Sequence, residues 1–183
     1  MPLVDLRSDS ELVAAHRAGE RRAFDELVRR HGDRLWALAY RTLRDPEDAA
    51  DVLQEALEAA YRRVGSFRGD AAVSTWLHRI VVNKCLDRVR HDRARPPSAA
   101  GRTHRDPVVL DPTEDATDRL AVLDALARLP VEQRLAIVLV DVEGYPVAEA
   151  AAILEVPSGT VKSRCARGRV RLAGLLGHLR ADA

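Results

Sequence analysis

The chain has 183 residues, which is enough for one domain or for two small ones. Its 29 basic and 28 acidic residues nearly cancel, so the net charge excludes neither an acidic nor a basic partner. The sequence shows no apolar export segment at its start and no run of about 18 apolar residues, so we expect a soluble, cytoplasmic protein that does not itself insert into a membrane.

Helix signals dominate the first part of the chain, and strand signals are almost absent. Ser8 and Glu11 have the spacing of a capping box and predict a first helix that ends at Gly19. Apolar residues between positions 24 and 43 recur about every 3.5 residues, which predicts a long second helix.

Proline and glycine residues mark the next two helices. Asp45 and Pro46 end the second helix, and Pro46 begins a third that runs to Val64. A loop over residues 66–70 follows, and Asp70 is a suitable first residue for a fourth helix that reaches Val89.

A break in the apolar pattern divides the chain in two. Residues 95–101 are rich in proline, serine and alanine, and no periodic apolar run resumes before about Leu120, which predicts a flexible linker over residues 95–116. Beyond it, one helix ends at Pro130, a second ends at Gly144, and a helix-turn-helix completes a four-helix unit. The predicted fold class is all-α, with two small helical domains at residues 8–94 and 117–180.

The third predicted helix carries an acidic stripe. Asp48, Asp51, Glu55 and Glu58 recur at spacings of three and four residues on the side opposite its apolar residues, with Gln54 beside them. No basic residue is interleaved among them to offset their repulsion. The stripe fits a docking surface for a basic partner, and it fits equally well a solvated acidic face whose first members favour the helix N-terminus.

The fourth predicted helix and the loop before it are basic and aromatic. Its polar residues could contact phosphates or base edges, and they are Arg79, Asn83, Lys84, Arg88 and Arg90. Phe67 and Trp76 flank the loop and could stack on unpaired bases, although core packing is the favoured interpretation of Trp76.

The most informative segment is residues 159–171, which holds five basic residues and no acidic one. Pro157 and Ser158 are expected to open a helix there, with Ser158 as the N-cap. Val161 and Cys165 fall on one face together with Leu172, which leaves the basic residues free. A short basic helix after a tight turn is typical of a recognition helix in the DNA major groove, and an ordinary surface helix would normally mix charge signs.

Three groups of residues, in chain order, resemble one family. Residues 67–70 (FRGD), residues 75–80 (TWLHRI) and Asn83 are similar to the second conserved region of bacterial extracytoplasmic-function (ECF) sigma factors. Residues 48–55 (DAADVLQE) resemble the polymerase-binding segment of that family. Residues 129–130, 143–144, 148–151 and 159–164 resemble its C-terminal helix-turn-helix domain, and residues 162–169 are most similar to the actinobacterial sigma M group.

The resemblance implies a role for each segment. The N-terminal domain would be sigma region 2, and its stripe would bind the clamp helices of the largest subunit of core RNA polymerase through Asp48, Asp51, Gln54 and Glu55. The same domain would bind the opened −10 promoter element through Phe67, Arg68, Asp70, Trp76, Arg79, Asn83 and Lys84. The C-terminal domain would be sigma region 4, and it would bind the −35 element of promoter DNA through Thr160, Lys162, Ser163, Arg164, Ala166 and Arg167. The family also implies an anti-sigma factor as a partner.

Three residues depart from the family pattern. Glu155 stands where many members carry glycine in the turn, and a positive φ there would cost about 1 kcal/mol. Ala166 is small where some relatives have a bulky contact. Gly168 replaces a common alanine and is expected to lower helix stability by roughly 0.5–1 kcal/mol.

Two other classes of function remain as alternatives. A helix-turn-helix repressor would bind its operator without polymerase, as a symmetric dimer. An enzyme is the weaker alternative, because we find no nucleophile–base pair, glycine-rich phosphate loop or metal cluster, and we expect no catalytic residue, metal or cofactor. Cys85 and Cys165 lie eighty positions apart in apolar-periodic positions and are expected to be buried, inert thiols.

Overall fold

A computed structural model describes residues 5–94 and 114–177, and within these ranges all regular structure is helical. Eight α-helices follow one another: α1 Asp9–Arg17, α2 Arg21–Leu43, α3 Pro46–Arg63, α4 Val73–Ala94, α5 Glu114–Ala127, α6 Val131–Ile137, α7 Val147–Leu154 and α8 Ser158–Leu175. A 3₁₀ turn, Val64–Ser66, follows α3, and a π-helical segment, Val138–Val142, continues α6. The all-α fold class is confirmed.

Local capping explains where α1 and α3 begin. Ser8 and Glu11 form the predicted capping box, in which each side chain bonds the backbone N–H of the other residue. Asp45 is the N-cap of α3, and its carboxylate accepts hydrogen bonds of 2.9 Å from the backbone N–H groups of Glu47 and Asp48. Pro46 occupies the first turn as predicted.

Two helix starts differ from the prediction. The fourth helix begins at Val73 and not at Asp70, because the first bond of the helical ladder runs from the Trp76 N–H to the Ala72 carbonyl. Ser158 is the first residue of α8 and makes no capping bond, because Pro157 occupies the N-cap position. The prediction of Ser158 as N-cap is therefore wrong.

The C-terminal helices pack as the predicted four-helix unit. The turn of the helix-turn-helix places Glu155 in the left-handed region at φ 53°, as its position in the turn required. Gly168 is buried where α8 crosses α6, and a Cβ at this position would lie 2.9 Å from Cγ1 of Ile137. Close packing therefore requires glycine at position 168. The sequence predicts only the loss of helix stability that glycine causes, and it does not reveal this packing requirement.

Each unit has its own buried residues. Leu27, Leu35 and Leu38 of α2 are among the fully buried residues of the first unit, and Leu135, Leu139 and Ile153 are among those of the second. Both cysteines are free and buried, as predicted, and burial raises the pKa of the Cys85 thiol to about 12. The predicted linker over residues 95–116 overlaps the first three residues of α5, and the rest of it lies outside the described residues.

The two helical units also contact each other directly, which the sequence did not predict. Helix α4 packs against α7, and α2 packs against α5 and α6. Glu143 accepts hydrogen bonds from Arg41 at 2.8 Å and Arg34 at 3.2 Å. Arg44, which directly follows α2, pairs with Asp124 of α5 at 2.6 Å. We call this the closed arrangement.

Arg134 of α6 makes a further contact between the two helical units. Its guanidinium donates to the carbonyl of Thr42, near the end of α2, and to the carbonyls of Ala127 and Leu129 at 2.5 and 3.1 Å. These carbonyls lie near the C-terminal ends of α2 and α5, where the backbone lacks helical partners, so one side chain joins helices from both units. Burial lowers the pKa of Arg134 to about 10.

Candidate polymerase and nucleic-acid interface

The acidic stripe lies on the outer side of α3, next to α4. Asp51 and Glu55 are 68% and 52% exposed at their side chains, and Gln54 is exposed beside them. Asp48 is different, because its side chain is only 15% exposed and accepts a hydrogen bond of 2.5 Å from Arg88. The residues open to a partner are therefore Asp51, Gln54 and Glu55, and Asp48 ties α3 to α4.

Helix α4 supplies positive charge beside the acidic stripe, whereas the basic residues of α3, Arg62 and Arg63, lie at the end of that helix. Arg88 also lies 3.9 Å from Asp51 and from Glu55, and Lys84 pairs with Glu55 at 3.1 Å. These exposed pairs contribute little to stability, and they leave carboxylate oxygens available to a basic partner.

The predicted −10 residues of the loop and of early α4 come together around one cavity of about 220 Å³. The rings of Phe67 and Trp76 lie 5.3 Å apart at an angle of 53° and form its aromatic wall. Arg68, Asp70 and Arg79 also line it. Both aromatic rings are half-buried, so Trp76 packs on the core and still presents part of its surface to the cavity.

A basic groove adjoins this cavity and contains the remaining predicted −10 residues, Asn83 and Lys84. Arg62 and Arg63, at the end of α3, line the same groove together with Arg90. Arg62 and Arg63 were not predicted from the sequence as site residues. The available signal was a pair of arginines at the end of an acidic helix and before the aromatic loop.

Helix α8 buries one side and exposes the other. Val161, Cys165 and Gly168 are buried at spacings of three and four residues. The predicted −35 residues Lys162, Ser163, Ala166 and Arg167 are exposed, whereas Thr160 and Arg164 are half-buried.

The arginines of α8 differ in their partners. Arg169 forms an ion pair with Asp141 at 2.6 Å, and Arg171 donates to Gln133 Oε1 at 3.1 Å. Among the described residues Arg167 bonds only the hydroxyl of Ser163, at 3.4 Å, so its charge stays available for an external anion. Within the described residues no carboxylate pairs with Lys162 or Arg164.

The closed arrangement brings the helix-turn-helix against the predicted −10 surface. Arg79 of α4 forms an ion pair with Glu155, the turn residue between α7 and α8, and Ala152 of α7 closes one side of the aromatic cavity. His78 is fully buried at the same contact, with its Nδ1 3.1 Å from the hydroxyl of Tyr145. Burial lowers the pKa of His78.

Residues 5–94 and 114–177 hold no group of three or more histidine, cysteine or acidic residues arranged to bind a metal ion. None of the helices in these ranges is long and apolar enough to cross a membrane.

Two family models match this chain, and several known proteins are similar to it. The family model described as Sigma-70 region 2 matches residues 27–95, and the one described as Sigma-70, region 4 matches residues 119–172. The chain is 56% identical to the ECF RNA polymerase sigma factor SigM of Mycobacterium tuberculosis, over 94% of this chain and 87% of the relative. It is 35% identical to the ECF RNA polymerase sigma-E factor of Escherichia coli, over 88% of this chain and 91% of the relative.

Solved structures show the same architecture. CnrH, in complex with the cytosolic domain of CnrY, is similar with a TM-score of 0.70 and 30% identity over 97% of this chain and 100% of that chain. RpoE of Bartonella quintana, in complex with the anti-sigma factor NepR, is similar with a TM-score of 0.68 and 28% identity over 84% of this chain and 96% of that chain. The likeness therefore spans both helical units. With both sigma regions matched in order and relatives aligned over most of their length, the chain belongs to the ECF RNA polymerase sigma factors.

Proposed function

We propose that this chain binds core RNA polymerase and directs it to promoters that it recognises through a −10 and a −35 element. One observation carries the proposal: a member of the sigma factor family presents three surfaces of different chemistry. These are the acidic stripe on α3, the aromatic cavity with its basic groove, and the exposed cations Lys162 and Arg167 of α8. A symmetric repressor needs only the last of the three.

The acidic stripe is the polymerase-binding surface in this proposal. Asp51, Gln54 and Glu55 are exposed and carry two carboxylates and one amide, which suit a partner helix rich in arginine or lysine. Asp48 contributes by holding Arg88, and through it α4, against the stripe.

The aromatic cavity is the reading site for the opened −10 strand. An unpaired base can stack on Phe67 or Trp76, because every base presents a π-face. Arg68 and Arg79 at the cavity, and Lys84 with Asn83 in the groove, supply charge and hydrogen bonds along the strand. Arg62 and Arg63 extend the same track toward α3.

Helix α8 is the −35 recognition helix. Ser163 and Ala166 are exposed on it beside Lys162 and Arg167, so the helix can enter a major groove while Val161 and its buried neighbours stay packed on α6 and α7. Arg167 is suited to a bidentate contact with guanine and Lys162 to a phosphate.

An anti-sigma factor holds the closed arrangement in this proposal. Two observations support it. RpoE of Bartonella quintana was solved in complex with the anti-sigma factor NepR and CnrH in complex with the cytosolic domain of CnrY, and their likeness to this chain extends over both helical units. In addition, the Arg79–Glu155 ion pair places the helix-turn-helix against the −10 surface, so the two DNA-reading surfaces cannot engage their elements together.

A binding experiment tests the polymerase surface. Reversing Asp51 and Glu55 to lysine is expected to weaken binding of the labelled chain to core polymerase at moderate salt, with little change in helical content because both residues are exposed. The matched control reverses Asp25 and Asp33, two exposed acids of α2. Equal affinities of the two double variants for core polymerase would refute the assignment of the stripe.

A further inference from the structure

Helix α1 lies outside the residues matched by the region 2 family model, yet it touches the loop that forms the aromatic cavity. Its last residue, Arg17, donates from Nε to the Val64 carbonyl at 3.2 Å and from Nη2 to the Gly65 carbonyl at 3.1 Å. Nη2 also donates to the carbonyl of Phe67. We propose that Arg17 is a positioning residue that holds this loop in the shape that reads the opened −10 strand, an inference that rests on the proposed function.

The loop has few other bonds that fix its shape. The Phe67 N–H donates to the Val64 carbonyl at 3.2 Å, and the Ser66 hydroxyl donates to the Arg63 carbonyl at 2.7 Å. Gly69 also has a positive φ of 80°, and it has no side chain that could hold the loop in this conformation. Val64 and Gly65 directly follow α3, and Arg17 supplies further donors to their carbonyls.

An arginine suits this position for two reasons. Its planar guanidinium presents several N–H donors in a fixed fork, so one side chain can bond carbonyls of three residues at once, whereas a lysine ammonium acts as a single point charge. Its positive charge also lies at the C-terminal end of α3, where the helix dipole is negative.

Helix α1 is anchored firmly enough to hold the loop. Leu12 and Val13 are buried at 0% and 2% exposure. The ring of His16, next to Arg17, lies 5.5 Å from that of Phe24 and 4.8 Å from that of Tyr61 in α3. Arg17 therefore extends from a packed helix toward the loop and does not depend on the loop for its own position.

The effect on DNA passes through Phe67. Arg17 holds the backbone carbonyl of this residue, and the Phe67 ring forms the cavity wall with Trp76. When the carbonyl is released, the Phe67 ring changes its position, and the width of the aromatic cavity that an unpaired base enters changes with it. Loss of Arg17 is therefore expected to alter base selectivity at the −10 element, with no direct effect on the stripe or on α8.

The experiment compares holoenzymes formed with full-length Arg17→Ala, Arg17→Gln and Arg17→Lys variants. Arg22→Ala is the control, because Arg22 is an exposed arginine at the start of α2 for which the described residues offer no partner. The measurements are affinity for core polymerase and open-complex formation on promoters with single-base changes in the −10 or the −35 element. Wild-type chain is assayed in parallel for promoter-dependent run-off transcription.

We expect Arg17→Ala to reduce open-complex formation on the best promoter about tenfold, by analogy with the loss of other positioning contacts. We also expect it to reduce the differences in open-complex formation among promoters with single-base −10 changes. Arg17→Gln and Arg17→Lys are expected to fall between it and the wild type, since each retains a donor. Affinity for core polymerase, and open-complex formation on promoters with −35 changes, should match those of the Arg22→Ala control.

Two results would overturn the inference. One is that Arg17→Ala leaves the base preference at the −10 element unchanged. The other is an equal loss on every promoter with a smaller salt dependence, which would make Arg17 a phosphate contact. If the wild-type chain itself fails to direct run-off transcription, the proposed function is wrong, and that outcome is separate from the behaviour of Arg17.

Discussion

Glu143 is the acidic residue on which the contact between the two helical units converges, so its removal tests the closed arrangement quantitatively. Its side chain is 7% exposed and bonds Arg41 at 2.8 Å and Arg34 at 3.2 Å. Arg34 also donates to the main-chain carbonyl of Glu143 at 3.3 Å, and this bond can survive truncation of the side chain.

The expected magnitude follows from the exposure of each partner. A hydrogen bond to a charged group contributes about 1.5–3 kcal/mol. Arg34 is 55% exposed and regains solvation when its partner is lost, so its share is discounted to a fraction of 1 kcal/mol, whereas Arg41 is 29% exposed and regains less. We expect Glu143→Ala to weaken closing by about 2 kcal/mol, which is about a thirtyfold fall in the ratio of closed to open molecules.

The assay measures the distance between the two units in the full chain. Spin labels are placed at Ala50→Cys in α3 and Ala173→Cys in α8, both exposed positions. The native Cys85 and Cys165 are buried, so the labelling reagent reaches the introduced thiols first. Pulsed dipolar spectroscopy then gives the populations of the short, closed distance and of longer, open distances.

The matched control is Glu149→Ala, which removes an exposed acid of α7 and should leave the distance distribution unchanged. Glu143→Gln retains an acceptor without the charge and is expected to open the chain less than Glu143→Ala. If Glu143→Ala gives the same distribution as the wild type and the control, Glu143 does not hold the two units together.

Three further changes have defined outcomes. Arg167→Ala is expected to relax preference at one −35 base by about 1–3 kcal/mol, whereas Lys162→Ala should weaken all promoters alike; a panel of single-base −35 variants separates the two, and a uniform loss in Arg167→Ala would contradict its base contact. Gly168→Ala is expected to lower the free energy of unfolding by about 1 kcal/mol, since its Cβ would meet Ile137; urea denaturation measures this, and a more stable variant would refute the packing argument. Burial lowers the pKa of His78 below its ordinary value of 6.5, so the unfolded chain binds the proton more tightly, and stability should fall as pH drops through about 6.5. Denaturation at several pH values should show a steeper fall for the wild type than for His78→Gln, and equal slopes would exclude the His78 contribution.

Much of the helical layout could be predicted from the sequence because its signals are local. The capping box of Ser8 and the proline at position 46 lie within a few residues of the boundaries that they set. The prediction failed where backbone conformation decided the outcome. The helical ladder of α4 opens only with the bond from Trp76 to Ala72, and Pro157 takes the capping position that Ser158 was expected to fill.

The contact between the two units could not be predicted, because its partners are far apart in the chain. Arg41 and Glu143 are separated by 102 positions, and neither has a local signal that identifies the other. The same holds for Arg17 and Phe67, which are 50 positions apart. The candidate site residues themselves were found from short patterns, while the neutralisation of the acidic stripe by Arg88 emerged only from the packing of α3 on α4.

The central claim is that this chain gives core RNA polymerase its promoter specificity, and run-off transcription tests it most directly. Purified core polymerase is incubated with the chain and a library of promoter fragments, and the transcripts are sequenced. We expect transcripts from a subset of fragments that share −10 and −35 elements, and their loss with the Asp51 and Glu55 reversals. Transcription that does not depend on added chain, or tight sequence-specific binding of duplex DNA by the chain alone, would contradict the account.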